Sequence, residues 1–344
     1  MLNTYDLALL GFGNVGRALA RLLMAKRDEL RRIYDLEWRI VGVGGRRAGF
    51  AIDPAGIDVS RLLAAAESGA GLASLSASAA PSDAFEFIRA CGAHILFENT
   101  PVNYETGQPA ADHLAAALEA GMHAITANKG PVVHAYRRLR DLARSRGRRF
   151  LFESAVMDGA PLFSLWRQTL PGARLLSFRG ILNSTTNLIL TLMETGQTFD
   201  EAVAQAQSIG VAETDPSGDI LGWDAAVKVA ALVTVLMDIP TLPQDVERQG
   251  IESLTPERVR HAQLDGRRWK LVCTAERDGD HVHARVAPEL LGPDDPLYGV
   301  MGTSSSIAFE SDVLGRLTLI EENPGPDTTA YGLLADFLNA VRQG

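Results

Sequence analysis

The chain is predicted to be an α/β protein. Residues 1–155 read as a Rossmann-type, doubly wound parallel sheet, and 156–320 as an α+β domain for substrate binding and dimerisation. Residues 321–344 read as a C-terminal helix returning to the first domain. Three observations predict this. Short apolar runs alternate with helix-period segments through the first half. A glycine-rich turn, Gly11–Gly16, sits between the first such run and the first helical pattern. After residue 155 the alternation ends, and turn-bounded runs suited to antiparallel strands take over.

Element by element, Tyr5–Leu10 reads as the first strand. Val15, Ala18, Leu19, Leu22, Leu23 and Leu30 form one stripe of the first helix. Arg39–Val43 reads as the second strand. Ser82 is positioned to cap a helix ending near Gly92, followed by a strand at His94–Phe97. Ala111, Leu114, Ala115 and Leu118 mark a helix stopped by Gly121, and His123–Thr126 the next strand. A helix to Arg146 precedes a strand at Arg149–Glu153. Pro161 suits the first turn of a helix, and Arg174–Leu182 reads as extended. Thr198 and Glu201 have capping-box spacing for a helix that Gly210 ends. The apolar run Asp224–Met237 reads as a helix, residues 268–320 as antiparallel strands with a turn at Asp278, Gly279 and Asp280, and Thr328–Val341 as the last helix.

Composition narrows the function classes. The chain has 344 residues, 46% hydrophobic and 22% charged, which is ordinary for a globular protein with a sizeable core. A net charge of -9 speaks against nucleic acid as a partner, because phosphate contacts need clustered Lys and Arg. The basic run Arg137–Arg149 reads as a solvated helix face. Two cysteines in apolar surroundings give no disulfide framework and suit a reducing cytoplasm. With no leader-like segment or membrane-spanning run, the expectation is a soluble, cytoplasmic protein with a small-molecule substrate. His281 and His283 share a strand face, but no Cys or further His lies near them in sequence, which argues against zinc.

GFGNVG follows a predicted strand and opens a predicted helix, the setting in which GxGxxG binds a dinucleotide. Gly11 and Gly13 allow the tight turn and close approach to a pyrophosphate, and Gly16 allows close packing of helix on strand. Phe12, Asn14 and Val15 complete the loop, and the helix N-terminus offers N–H groups to the anion. At the end of the second strand an NAD site would often carry an acid for the ribose hydroxyls. This chain has Gly44, Gly45, Arg46 and Arg47 instead, so NADP is favoured through its 2′-phosphate, with NAD the alternative. Thr100 joins the same cofactor set.

The segment DPSGDILGWDAAVKV, residues 215–229, supplies a second kind of chemistry. Asp224 and Lys228 are four apart, hence on one helical face, and Trp223, Ala225, Ala226 and Val229 bury their surroundings. A lysine held there beside carboxylates is tunable as a proton donor or acceptor. A glycine loop for a nicotinamide cofactor and a proton source for an alkoxide together suggest a hydride-transferring enzyme. The competing structural reading is that Asp219 and Asp224 cap the helix that carries Lys228.

With these residues in view, the chain resembles the homoserine dehydrogenases through most of its length. GFGNVG resembles their cofactor loop, TANKGP (Thr126–Pro131) their lysine turn, GILNSTTN (Gly180–Asn187) a substrate-lining segment, and ETDPSGDILGWDAAVK (Glu213–Lys228) their catalytic signature. The resemblance implies reversible, NAD(P)-dependent interconversion of L-homoserine and L-aspartate 4-semialdehyde, on the route to threonine and methionine. By position it implies Lys228 as proton donor and Lys129 as a second cation near nicotinamide and substrate, with Asp224 beside Lys228. It further implies Glu213, Asp219, Ser184 and Thr185 in the substrate site. By alignment the resemblance also implies a monovalent cation such as Na+ on the main-chain carbonyls of Glu153, Val156, Asp158 and Ala160, and a homodimer. The chain ends after the catalytic region, so threonine feedback through an appended ACT-type domain is not expected. Three departures stand out: Val156–Gly159 replaces a glycine-richer turn, Ser184 replaces a glycine, and NPGPDTTA (Asn323–Ala330) copies the family's turn loosely. The substituted turn keeps open an oxidoreductase acting on another semialdehyde or small oxo acid. A catalytically silent NADP-binding sensor is the third reading, and the joint presence of Lys129, Glu213, Asp224 and Lys228 argues against it.

Overall fold

The computed structural model describes residues 2–77 and 79–342. The chain divides into two compact units, one formed by Met1–Pro161 with Gly325–Gly344, the other by Leu162–Pro324. Among the described residues no helix is long and apolar enough to cross a membrane.

The first unit is built from β1 (Asn3–Leu10), α1 (Asn14–Tyr34), β2 (Leu36–Gly45), β3 (Gly49–Ile52), α2 (Val59–Ser68), α3 (Ala84–Ala90), β4 (Ile95–Glu98), α4 (Ala110–Glu119), β5 (His123–Thr126), α5 (Lys129–Ser145) and β6 (Phe150–Leu151). Its six-stranded sheet has the order β3-β2-β1-β4-β5-β6. All pairs are parallel except β2–β3, a tight hairpin where a crossover would otherwise stand. The expected strand Arg149–Glu153 is shorter, because Glu153–Ala155 curls into a 3-10 turn.

Burial explains this arrangement. Along β1, Leu7 and Leu9 join one core cluster and Ala8 and Leu10 another, so both sheet faces are covered. The first cluster takes in Ala18, Leu19 and Leu23 of α1 and Ala330, Leu333 and Phe337 of the chain's last helix, Pro326–Val341. The end of the chain therefore packs on the sheet that its beginning forms, inside one hydrophobic core. The α3 cap sits one residue later than Ser82: the Asp83 carboxylate accepts the Glu86 N–H at 2.8 Å, while Ser82 donates back to the Glu86 carboxylate.

The second unit opens with α6 (Leu162–Ser164) running into a π-turn, Leu165–Thr169. There follow β7 (Leu175–Ile181), α7 (Ser184–Glu194), α8 (Phe199–Ser208), α9 (Ser217–Ile220), α10 (Trp223–Leu236), β8 (Glu247–Arg248), α11 (Pro256–Leu264), β9 (Arg268–Asp278), β10 (His281–Leu291), β11 (Ser305–Ser311) and β12 (Gly315–Glu321). Its six-stranded sheet runs β12-β11-β7-β9-β10-β8, antiparallel apart from the short β8–β10 pair. The Thr198–Glu201 capping box closes with both hydrogen bonds, and Gly279 turns the β9–β10 hairpin at φ +60°. Helix α10 is apolar nearly all round and buried, so the sheet and its neighbours enclose it.

Candidate active site

In the first unit the strand order reverses between β1 and β4, and their C-terminal ends open the crevice where such sheets bind ligands. The glycine loop leaves β1 there. Gly11 has φ +98°, and a Cβ on it would lie 2.3 Å from the Asn99 carbonyl oxygen, so only glycine fits. A Cβ on Gly16 would lie 2.6 Å from the Gly11 carbonyl oxygen, which is the close helix–strand packing expected of the third glycine. A Cβ on Gly13 would meet nothing within 4 Å: the backbone is open where a pyrophosphate would approach, and α1 begins there without a side-chain cap.

Two further features suit a dinucleotide. Arg46 and Arg47 are exposed at the turn of the β2–β3 hairpin, at the C-terminal end of β2, with no carboxylate in that turn. Sequence reasoning did not assign Asn99, which follows β4. Its side-chain N and O are both buried, yet neither has a hydrogen-bond partner among the described residues. A buried amide at the switch point has donor and acceptor groups to offer a polar ligand or water. The only signal for it was its place directly after a strand end. Next to it, the Thr100 hydroxyl and N–H both donate to Glu98. Lys129 opens α5, whose cap is Asn128, with the Asn128 side-chain oxygen accepting the Gly130 N–H at 3.0 Å.

The turn Glu153–Ala160 is fastened to the last helix. Glu153 N–H donates to the Asp336 carboxylate at 2.7 Å, and the Thr329 hydroxyl donates to Asp158 at 2.6 Å. Asp158 has φ +38°, and Ala160 N–H bonds to the Met157 carbonyl at 2.8 Å. Val156 is buried in this turn.

In the second unit Lys228, Asp224 and Asp219 come together. The Lys228 ammonium donates to the Leu182 carbonyl at 2.6 Å and pairs with Asp224 at 3.0 Å. The residue that organises the group, Asn183, was not singled out from sequence, although an Asn before Ser-Thr-Thr is a recognisable N-cap. Its side-chain oxygen accepts the Thr186 N–H at 2.8 Å, starting α7. Its NH2 reaches Asp219 at 2.6 Å and Asp224 at 3.0 Å. One buried amide thus holds two carboxylates together. Burial, and then the neighbouring Asp224 charge, raise the Asp219 carboxyl above the ordinary range, against the hydrogen bond from Asn183.

The capping interpretation of these aspartates fails here. Gly222, with φ +78°, is the N-cap of α10, and no described side chain caps that helix. Thr185 is buried, and its hydroxyl faces the Val211 carbonyl at 3.3 Å and also supports Asp219. The hydroxyls of Ser184 and Ser305 lie 3.4 Å apart. Glu213 stands outside this hydrogen-bonded group: it is exposed before α9, and its carbonyl accepts a 3.1 Å bond from Gln207.

A half-buried ammonium held by two acceptors beside carboxylates suits proton transfer and recognition of a cationic substrate group, and the glycine loop suits a nicotinamide dinucleotide. Known proteins agree. The family model described as homoserine dehydrogenase matches residues 161–338, and that of the homoserine dehydrogenase NAD binding domain matches 11–153. The chain is 37% identical to the NAD(+)-dependent homoserine dehydrogenase of Pseudomonas canavaninivorans over 97% of this chain and 96% of that one. It is 34% identical to the homoserine dehydrogenase of Methanocaldococcus jannaschii, over 97% and 98%. A hyperthermophilic archaeal homoserine dehydrogenase solved with NADPH superposes with a TM-score of 0.82 at 28% identity, covering 98% of both chains. These likenesses favour the first of the three readings over the other semialdehyde and the silent sensor. The chain belongs to the homoserine dehydrogenase family of NAD(P)-dependent oxidoreductases acting on a CH–OH donor.

Proposed function

We propose that this chain interconverts L-homoserine and L-aspartate 4-semialdehyde with Lys228 as the proton donor and acceptor. The observation that carries the assignment is the Lys228 ammonium held between Asp224 and the Leu182 carbonyl. The nicotinamide cofactor, when bound, supplies or accepts the hydride. As the semialdehyde carbonyl is reduced, its oxygen gains negative charge, and the Lys228 ammonium stabilises that charge and donates a proton. In the oxidative direction the neutral amine takes the proton back. Two bonds to fixed acceptors set the direction of the ammonium's remaining N–H. Asp224 and Asn183 hold Lys228 in place. Asp219 attracts the substrate's α-ammonium, and Ser184 and Thr185 complete the polar lining. Glu213, which lies outside the hydrogen-bonded group, is assigned to the substrate on the family resemblance alone. Lys129 is assigned as the second cation.

NADP is the preferred cofactor in this reading, supported by Arg46 and Arg47 at the β2 end, although a near relative is named as NAD(+)-dependent. Gly11, Phe12, Gly13, Asn14, Val15, Gly16 and Thr100 make up the rest of its site, with Asn99 added from the structure. A monovalent cation on the carbonyls of Glu153, Val156, Asp158 and Ala160 is supported by the way Thr329 and Asp336 fix that turn. Homodimerisation is supported by β12, an edge strand whose Ile320 is 60% exposed. Two buried thiols without a disulfide suit a cytoplasmic setting. The test is absorbance of the reduced nicotinamide on mixing the protein with L-homoserine and NADP or NAD. Cofactor binding without turnover of homoserine would sink the reading.

A further inference from the structure

Glu98 closes β4 and is fully buried. Its partner in register on the neighbouring parallel strand is Thr126, the last residue of β5 and equally buried. Folding alone does not ask for a carboxylate here. Two apolar residues would pair as well, and a buried carboxylate costs several kcal/mol unless its hydrogen bonds are made.

They are made, in a closed ring. One carboxylate oxygen accepts the Thr100 N–H at 3.1 Å and the Thr100 hydroxyl. The Thr126 hydroxyl lies 2.7 Å from the Glu98 carbonyl and 3.1 Å from the other carboxylate oxygen, and it accepts the Asn128 N–H at 2.9 Å. The Asn128 side chain returns to the Thr100 carbonyl at 3.1 Å. Glu98, Thr100, Asn128 and Thr126 thus lock together two turns that leave adjacent strands. One turn carries Asn99 and Thr100, and the other carries Asn128 and Lys129. His113 approaches the carboxylate to 3.9 Å from α4, and its Nδ1 is buried without a hydrogen-bond partner among the described residues.

We propose that Glu98 is a positioning residue for the dehydrogenase reaction, setting the relative placement of the Thr100 and Lys129 turns through this ring. The inference rests on the reading that Thr100 and Lys129 serve cofactor and reaction. Rigid placement matters because an error of about 1 Å in a reacting group can cost roughly a hundredfold in rate. A merely structural carboxylate would change the melting temperature and the yield of folded enzyme, but not the kinetics of the molecules that fold.

The experiment compares Glu98→Gln, Thr126→Val, Lys129→Met and the double variant Thr126→Val/Lys129→Met. Each is assayed for kcat, KM, NADPH affinity by nicotinamide fluorescence, and thermal melting. Glutamine keeps an acceptor toward Thr100 but turns an NH2 toward Thr126, and valine removes the hydroxyl that joins Glu98 to Asn128. Expected is a fall in kcat of roughly 10- to 100-fold in Glu98→Gln and Thr126→Val per folded active site. Thr126→Val should cost little more once Lys129 is already methionine, because it acts through that turn. Wild-type kcat and KM in both single variants, or full multiplication of the two losses in the double variant, would overturn the proposal while leaving Lys129 in its role. Wild-type kcat in Lys129→Met would instead remove the underlying reading, and the proposal with it. If Glu98→Gln does not fold, Thr126→Val, which loses no charge, carries the test alone.

Discussion

The Lys228 ammonium and the Asp224 carboxylate, one helical turn apart on α10, form a 3.0 Å ion pair with only 14% and 9% of their side chains exposed. In so little water the pair is hardly screened, and removing one partner strands the other. Replacing Lys228 with alanine should lower kcat by on the order of 10² to 10⁴ while NADPH affinity stays unchanged. Asp224→Asn should give a smaller loss, because Asn183 and the Leu182 carbonyl still restrain the site. Steady-state rates with fluorescence titration of NADPH check both. Near-full turnover in Lys228→Ala would remove the proton-donor assignment.

The glycine loop gives a prediction that separates folding from binding. Gly11→Ala places a methyl group 2.3 Å from the Asn99 carbonyl at φ +98°, so it should destabilise the first unit outright. Gly13→Ala meets nothing within 4 Å in the protein and should fold normally. Its methyl group would project into the space assigned to the pyrophosphate, so NADPH affinity should fall by roughly tenfold or more. Melting curves and binding titrations of the two variants should therefore diverge. A Gly13→Ala enzyme that binds NADPH as before would take the phosphates away from this loop.

Local chemistry explains which features are legible in the amino-acid sequence. GFGNVG, the Thr198–Glu201 box and the Asp224–Lys228 spacing each depend on neighbours within a few residues, and all three appear where their spacing placed them. Asn183 and Glu98 act through partners distant in sequence, such as Asp219 and Thr126, and Asn99 is placed by its N–H bond to the distant Leu10 carbonyl, none of which a window of residues reveals. The β2–β3 hairpin is hidden because Gly44 and Gly45 read as the end of a strand, whereas Arg46–Ala48 form a turn between two strands. Lys270 does leave a trace, as a lone lysine inside the apolar run of β9. Its meaning depends on Asn187 and the Val300 carbonyl, which accept from it at 2.8 and 2.5 Å.

Arg46 and Arg47 lead to a selectivity prediction. Each guanidinium placed on a 2′-phosphate contributes about 1–2 kcal/mol at an exposed site, and nothing toward the plain ribose hydroxyls. The double replacement by alanine should raise KM for NADP by roughly 30- to 1000-fold and leave KM for NAD nearly unchanged. The two cofactors assayed side by side with homoserine decide this. Equal effects on both would move the 2′-phosphate elsewhere, or show that the chain prefers NAD.

Lys270 makes stability depend on alkaline pH. It is fully buried, and burial pushes its ammonium from the ordinary 10.5 down to about 8, with the nearby Glu194 charge opposing part of the shift. Below pH 8 both the folded and unfolded chains carry the proton, so the full cost of burying the charge is present. Between about pH 8 and 10.5 the unfolded chain holds the proton and the folded chain does not, so this residue's contribution to stability rises with pH. Across that window the gain is about 3 kcal/mol. Lys270→Met removes the titrating group while leaving Asn187 and the Val300 carbonyl without their donor. Denaturant unfolding of the two proteins at pH 7.5 and 10 should show the difference in stability between wild type and variant moving in favour of wild type at the higher pH. Other groups, such as the Cys273 thiol that burial pushes up to about 12, titrate in both proteins and cancel in that difference. A difference independent of pH would mean that Lys270 keeps its proton throughout, held by its two acceptors against the burial.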